Sequence, residues 1–492
     1  MKVELIEKSS NKNLYEQVAE RIRSLIVEGT LQPGSRIPSV RKLHGQLSVS
    51  ISTVLEAYRL LEDQGWIEVR PQSGYFVKRR LSLPDEPHQS ALPKPNFPVD
   101  ISLAFRISAA MRDAQNVRLG AAVPGVELLP TAALNRLMGQ VIRAQPEVAH
   151  SYYASHGCEQ LRHEVAKRLM DAGCSLTPGE IVITNGTTEA LYLCLKAITK
   201  PGDTVAIESP TYYGLLEILA SLHLKALELP THPKEGLCLE HLEAALQEQP
   251  IAAVALVSNF SNPLGSCMSA SSKKQLVALL ERYNLPLIED DIYGELYFEG
   301  NRPKAIKAFD TQGLVLYCAS VSKTLSPGLR VGWTVPGRYQ IKVEQLKMAM
   351  NWMNAIAPQL TVAAFFANGG SSSHLRHLRR AYQSQIARMT QAICEYFPAE
   401  TKLTRPLGGY VLWLELPTEF DAMVLYEDAL AHQISVAPGN MFSPSGNYRN
   451  CLRLNAGLPW SSEIDLAMQT LGYLMKRQLS VASKGLDPIA AT

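Results

Sequence analysis

Apolar residues recur at Leu14, Val18, Ile22, Leu25 and Ile26, the spacing of one buried helix face over residues 14–28. Gly29 stops that segment, and Leu31-Gln32-Pro33-Gly34 reads as a turn. Pro38 and Ser39 open a second, short helix reaching about Leu47. A turn over 48–50 leads into a longer helix that ends at Gly65. Two β-like runs, 66–70 and 74–77, flank Pro71-Gln72-Ser73. Helix, helix, turn, helix and hairpin is the order of a winged helix-turn-helix, expected over residues 1–78.

Periodicity then disappears. Residues 79–99, RRLSLPDEPHQSALPKPNFPV, are rich in proline and predict a semi-rigid, exposed tether. Beyond it, over 100–480, short apolar runs alternate with helical stretches, for example 180–184, 204–208, 252–258, 285–289 and 313–318. That alternation predicts an α/β domain on a parallel sheet, with ligands at the carboxyl ends of its strands. The small, polar residues 481–492 read as a disordered tail.

Composition adds where to look for partners. The 492 residues carry a formal net charge of +2, so the chain as a whole is no polyanion binder. Residues 1–80 hold 13 Lys and Arg against 9 Asp and Glu, which singles out the N-terminal piece for a nucleic-acid partner. The polar start MKVELIEKSSNKN is no signal peptide, and no apolar run approaches membrane-spanning length, so a cytoplasmic protein is expected. The 8 cysteines include no CxxC pair, which suits reduced thiols and gives no support for a metal site.

Polar clusters follow the apolar runs. After 313–318 comes Lys323 among Ser320, Ser322, Thr324 and Ser326, with Arg330 downstream. A lysine partly desolvated at a strand end is a nucleophilic amine, and hydroxyls with an arginine suit a phosphate dianion. An imine-forming lysine beside a phosphate site points to pyridoxal 5'-phosphate. After 180–184, Gly186, Thr187 and Thr188 open a helix and offer amides and hydroxyls to an anion. After the second run, Pro210-Thr211-Tyr212-Tyr213 holds a tyrosine at a turn and offers a ring for stacking, and Asn262 is held before Pro263. Glu289-Asp290-Asp291 ends the fourth run; an acid buried there needs a positive partner such as a protonated pyridine nitrogen, and Tyr293 lies within reach of the ring's phenolic oxygen.

Two resemblances join these features. Residues 12–78 resemble the DNA-binding domain of the GntR regulators through L-x-P-G-x-R-I-P-S-x-R-x-L, V-x-x-S-T-V-x-x-A-Y-x-x-L and G-W-I-x-x-x-x-x-S-G-x-F-V. The resemblance implies that Arg41 reaches double-stranded DNA from the second helix and that Ser50, Ser52 and Thr53 begin the recognition helix. It places Gln72, Ser73 and Gly74 at the wing tip with Arg70 nearby. Ile51 stands where many relatives carry arginine, so the operator preference does not carry over.

Residues 100–480 resemble fold-type I pyridoxal-phosphate enzymes of the aspartate aminotransferase superfamily, most specifically through S-x-S-K-x-L-x-P-G-L-R-x-G-W. This implies a large domain on a parallel or mixed sheet and a small C-terminal α+β domain. It implies Lys323 as the Schiff-base lysine, Asp290 on the pyridine nitrogen, Tyr293 and Asn262 on the phenolic oxygen, and Tyr212 stacked on the ring. Gly186, Thr187, Thr188, Ser320, Ser322 and Arg330 hold the phosphate. Tyr152 is the tyrosine lent to the neighbouring subunit of a head-to-tail homodimer, and Arg453 grips a substrate carboxylate.

Together the halves are similar to the MocR-type subfamily of GntR regulators. Two functions follow as expectations. One is a regulator that senses an amino compound or the cofactor itself, in amino-acid or vitamin B6 metabolism. The other is an active aminotransferase, competent at least for half-transamination, with a DNA-binding appendage.

Overall fold

Val18, Ile22 and Ile26 are buried along one face of the helix Leu14–Val27, as their spacing predicts. The structure, a computed structural model, describes residues 13–27, 30–32, 34–70, 73–78, 83–90, 97–98, 102–113 and 115–483. That first face packs on Leu43 of the helix Val40–Leu47 and on Val54, Tyr58 and Leu61 of the helix Ile51–Asp63. Ser39 and Ser50 cap the latter two helices, their hydroxyls accepting from the amides of Lys42 and Thr53. Those amides have no partner within the helix, so the caps fix where each one starts. The strands Ile67–Arg70 and Gly74–Val77 pair antiparallel as the wing. This is the expected winged helix-turn-helix.

Five apolar runs become the strands Val182–Thr184, Thr204–Ser209, Ala253–Leu256, Leu287–Asp290 and Val315–Ser320, each buried throughout. The main sheet runs in the order Phe97–Pro98, Lys225–His232, Thr204–Ser209, Ala253–Leu256, Leu287–Asp290, Val315–Ser320, Gly332–Val335, Val182–Thr184. Its middle is parallel, and the sheet as a whole is mixed. Gly332–Val335 runs antiparallel to both its neighbours, and Phe97–Pro98 runs antiparallel to Lys225–His232. The loop from Ser320 to Gly332 is too short for the crossover helix of a parallel return, so the chain turns back on itself there. The consequence for function is that five strands end on one edge.

A second core closes that edge. The antiparallel strands Lys402–Leu403, Val411–Glu415, Cys451–Asn455 and Ala437–Pro438 pack with the helices Gly370–Tyr396 and Ser462–Ser483 around Trp413, Leu454 and Met468. The last helix continues through Ser483, past the point where a disordered tail was expected, because Met468, Leu471, Leu474 and Met475 keep its inner face apolar. Residues 484–492 lie outside the described residues.

The expected tether is not free along its length. The Asp85 carbonyl accepts from the Leu403 amide at 2.8 Å, and Arg405 donates to the Pro84 carbonyl at 2.9 Å. Pro87 is buried, and the Ser90 hydroxyl accepts from the Thr231 amide at 2.7 Å. Proline composition marks extended backbone with few donors. It carries no information about partners more than a hundred residues away, which here supply those donors.

The winged helix rests on the helix Gly370–Tyr396, with Glu16 3.3 Å from Arg380. A cavity of about 720 Å³ lies between them, lined among others by Arg23, Trp66, Arg70, Gln391 and Arg405. Ile51 and Ser52, at the start of the recognition helix, stay exposed.

Candidate ligand pocket and nucleic-acid interface

Three consecutive acids end the strand Leu287–Asp290, and the structure gives them three different jobs. Side chains alternate faces along a strand. Glu289 accepts from Ser258 and from the amides of Ile306 and Lys307. Asp291 is tied to Asn259 at 2.7 Å, Arg302 at 2.8 Å and Tyr317 at 2.9 Å. Asp290 alone lines the pocket, accepting from the Ile292 amide at 3.2 Å. Burial raises Asp290 to about 7, against the pull of the Ile292 amide and of Lys323. It is a buried acid short of a cation.

Lys323 ends the short 3₁₀ turn Val321–Lys323 that leaves the neighbouring strand Val315–Ser320. Its Nζ donates to the Ala122 carbonyl at 2.7 Å. Burial, with the positive charges of Arg453 and Arg330 adding, lowers it to about 8. A large share of the amine is therefore neutral near pH 8 and able to attack a carbonyl.

These two side chains face a cavity of about 340 Å³. At one end lie Thr187 and Thr188, on the first turn of the helix Gly186–Ile198, with Ser322 and Arg330. Arg330 reaches the Asn185 carbonyl at 2.8 Å and the Ser322 hydroxyl at 3.4 Å. Gly186 has φ +75°, and a Cβ there would strike the Arg330 guanidinium, so only glycine lets the arginine close over the helix start. Ser320 does not line the cavity; its hydroxyl accepts from the Ser322 amide at 3.3 Å and braces the turn.

The middle of the cavity is walled by Tyr212, Asn262, Ile292 and Tyr293, and the loop 120–130 adds Ala121, Ala122 and Val123. Arg453, on the strand Cys451–Asn455, is fully buried and does not line the cavity. It meets the pocket through Asn262, whose Oδ1 accepts at 2.9 Å, and also donates to the Gly120 carbonyl. Tyr152 lies outside the cavity and is 87% exposed.

The pocket fits a phosphorylated pyridine aldehyde on several counts. The Thr187 hydroxyl, the Tyr293 hydroxyl and the Arg453 Nε are buried without a hydrogen-bond partner. Unpaired buried polar atoms are uncommon and mark places where a ligand completes the network. A helix start with hydroxyls and an arginine suits an anion, Asp290 suits a cationic ring nitrogen, and Lys323 suits an aldehyde. Reading strand ends missed Ser108, Met111 and the Ala122 carbonyl, all of which reach the site from elsewhere in the chain.

On the winged helix, Arg41, Ser52 and Ser73 are exposed. The Ser50 hydroxyl is the helix cap and is shared with Ser52 and Thr53, each at 2.7 Å. Thr53 is half-buried and Gly74 closes the wing with φ +98°. Arg70 is already paired, donating twice to Glu68 at 2.9 and 2.7 Å and lying 4.4 Å over the Phe76 ring. Gln72 lies outside the described residues. Among the described residues no cluster of His, Cys, Asp and Glu could hold a metal, and no helix is long and apolar enough to cross a membrane.

Fold and pocket define a class: a winged helix joined to an aminotransferase-like body. The chain belongs to the aminotransferase class I and II family, matched over residues 125–470, and carries a domain of the bacterial regulatory proteins of the gntR family over residues 14–77. That combination is the MocR-type arrangement. It is 41% identical to the HTH-type transcriptional regulator YdcR of Escherichia coli, covering 94% of this chain and 99% of the relative, and 38% identical to YjiR of the same organism over similar shares. Among solved structures it is similar to the α-aminoadipate aminotransferase LysN of Thermus thermophilus, complexed with N-(5'-phosphopyridoxyl)-L-leucine, at TM-score 0.70 and 28% identity, covering 78% of this chain and 100% of that one. It is likewise similar to a kynurenine aminotransferase of Pyrococcus horikoshii, complexed with PMP, at TM-score 0.72 and 28% identity, covering 77% and 95%.

Proposed function

We propose that this protein is a cytoplasmic DNA-binding transcription regulator that holds pyridoxal 5'-phosphate at Lys323 and responds to an amino compound, or to the cofactor itself, in its pocket. One observation carries the reading: a depressed lysine and a buried, cation-seeking acid share a cavity with unpaired hydroxyls, in a chain whose recognition helix remains open. When bound, pyridoxal phosphate supplies an aldehyde that condenses with amines and a pyridinium ring that withdraws electrons.

The residues divide the work. Thr187, Thr188, Ser322 and Arg330, with the amides of the Gly186 turn, bind a phosphate, and Ser320 braces the turn that carries Ser322. Tyr212, Asn262 and Tyr293 orient a planar ring. Asp290 keeps a proton on the ring nitrogen by offering its charge there. Lys323 presents a neutral amine, and Arg453 receives a carboxylate, a bidentate task for a guanidinium. Tyr152, exposed on this copy, serves the pocket of a second copy in a head-to-tail homodimer.

On the DNA side, Arg41 meets phosphates or base edges and the helix start at Ser50, Ser52 and Thr53 enters the major groove. Ser73 and Gly74 shape the wing. The test titrates the protein's own promoter region with and without pyridoxal phosphate, alongside absorbance at the imine band. Cofactor-dependent DNA affinity with an imine band supports the reading; unchanged affinity and no band refute it. Sustained keto-acid release from a panel of amino acids would favour an active aminotransferase instead.

A further inference from the structure

Among the residues lining the pocket with an unpaired polar atom, Ser108 is the one left without an assignment. It lies on the helix Ser102–Arg112, is 5% exposed, lines the cavity, and its hydroxyl has no hydrogen-bond partner. A serine inside a helix satisfies its hydroxyl by turning it to solvent or by returning it to the carbonyl four residues back. Here the Ala104 carbonyl receives no such bond. The cavity wall also takes the apolar Met111, one turn along the same helix, and Leu191. Such a wall is the place where a buried hydroxyl most needs a partner.

The other unpaired groups of the pocket have claimants. Thr187 stands at the anion-binding helix start, Tyr293 beside Lys323, and Arg453 at the carboxylate end. Ser108 comes from none of the strand ends that hold those groups. We propose that Ser108 recognises a hydrogen-bonding group on the side chain of the bound amino compound, so that the pocket prefers a polar side chain to an apolar one of the same shape. This rests on the functional reading given above and names the ligand class of that same site. Removing the partner of a buried polar group discriminates between ligands far more than adding a methyl group does.

The test uses the full chain loaded with pyridoxal phosphate and two shape-matched pairs, L-asparagine with L-leucine and L-threonine with L-valine. Dissociation constants are read from the cofactor's absorbance and, independently, from thermal shift. The wild type is expected to prefer the polar member of at least one pair, and S108A to cut that preference by about 5- to 10-fold, the effect of one net hydrogen bond. S108T, which keeps the hydroxyl, is expected to restore it. Equal affinities within both pairs for the wild type, or an S108A variant that weakens both members alike or neither, overturns the proposal while cofactor loading leaves the regulator reading intact. A wild type that takes up no pyridoxal phosphate at all overturns both.

Discussion

Arg453 donates to the Oδ1 of Asn262 at 2.9 Å across 191 residues of sequence. The two residues come from different domains' strands or strand ends and were assigned to different parts of a ligand. Their bond makes the carboxylate end and the ring end of the pocket one unit. R453K and N262A are each expected to weaken amino-acid binding by about 10- to 100-fold, the usual scale for a charged hydrogen bond. The double variant is expected to lose less than the product of the two, since residues in contact do not add. A titration of all four proteins by cofactor absorbance gives the cycle; strict additivity would argue against the coupling.

Lys323 sets a pH dependence of loading. Its folded value of about 8 lies below that of an ordinary lysine, first because burial penalises the charge. The neutral fraction therefore climbs as pH rises through 8, and the rate of pyridoxal-phosphate uptake by the apo protein is expected to climb with it between pH 7 and 9. Stability follows the same sign. Above pH 8 the folded lysine has lost its proton while the unfolded one keeps it up to about 10.4, so this site adds stability as pH rises through that window. K323A is expected to abolish both effects and to leave no borohydride-trapped cofactor by mass spectrometry.

Asp290 works in the opposite sense. Burial lifts it to about 7 in the ligand-free protein. Between about pH 4 and 7 the folded carboxyl holds a proton that the unfolded chain has released, so its contribution to stability is present below that range and is lost as pH rises through it. Melting temperatures of apo D290N against apo wild type should diverge progressively over that interval, with the variant gaining. Bound pyridoxal phosphate should erase most of the difference by supplying a cation. Parallel melting curves across the interval would mean that Asp290 is not the buried acid described.

On the winged helix, exposed Arg41 and paired Arg70 predict unequal effects. R41A is expected to weaken binding to many sequences alike and to lower the slope of log affinity against log salt by about one, the signature of a lost phosphate contact. R70A should cost less, because Arg70 must first leave Glu68. E68A should strengthen binding at low salt by freeing it. Fluorescence anisotropy over a salt series separates these outcomes, and equal losses for R41A and R70A would show that the Glu68 pair does not restrain the wing.

Much of this was legible beforehand, for a physical reason. A parallel strand is a short apolar run, and the polar residues that follow it stand at one edge of the sheet, so the clusters that hold Thr187, Tyr212, Asn262, Asp290 and Lys323 could be picked from local text. Choosing Asp290 over Asp291 rested on a resemblance; the reason appears only where Arg302 and Tyr317 meet Asp291. Ser108 and the Ala122 carbonyl had no local signal, because what matters about them is an absent partner and a partner 201 residues away. The turn back at Gly332 and the clasped tether were likewise invisible to composition.

That clasp has a mechanical meaning. With Pro84, Asp85 and Ser90 fastened to Arg405, Leu403 and Thr231, only five residues, 79–83, separate Lys78 of the wing from the first anchored residue. Fully stretched, such a span covers about 21 Å. The winged helix is therefore on a short leash, and in a pair of copies the gap between two recognition helices is governed by the solid bodies they hang from. The spacing of DNA half-sites then becomes a ruler for the shape of the effector domains.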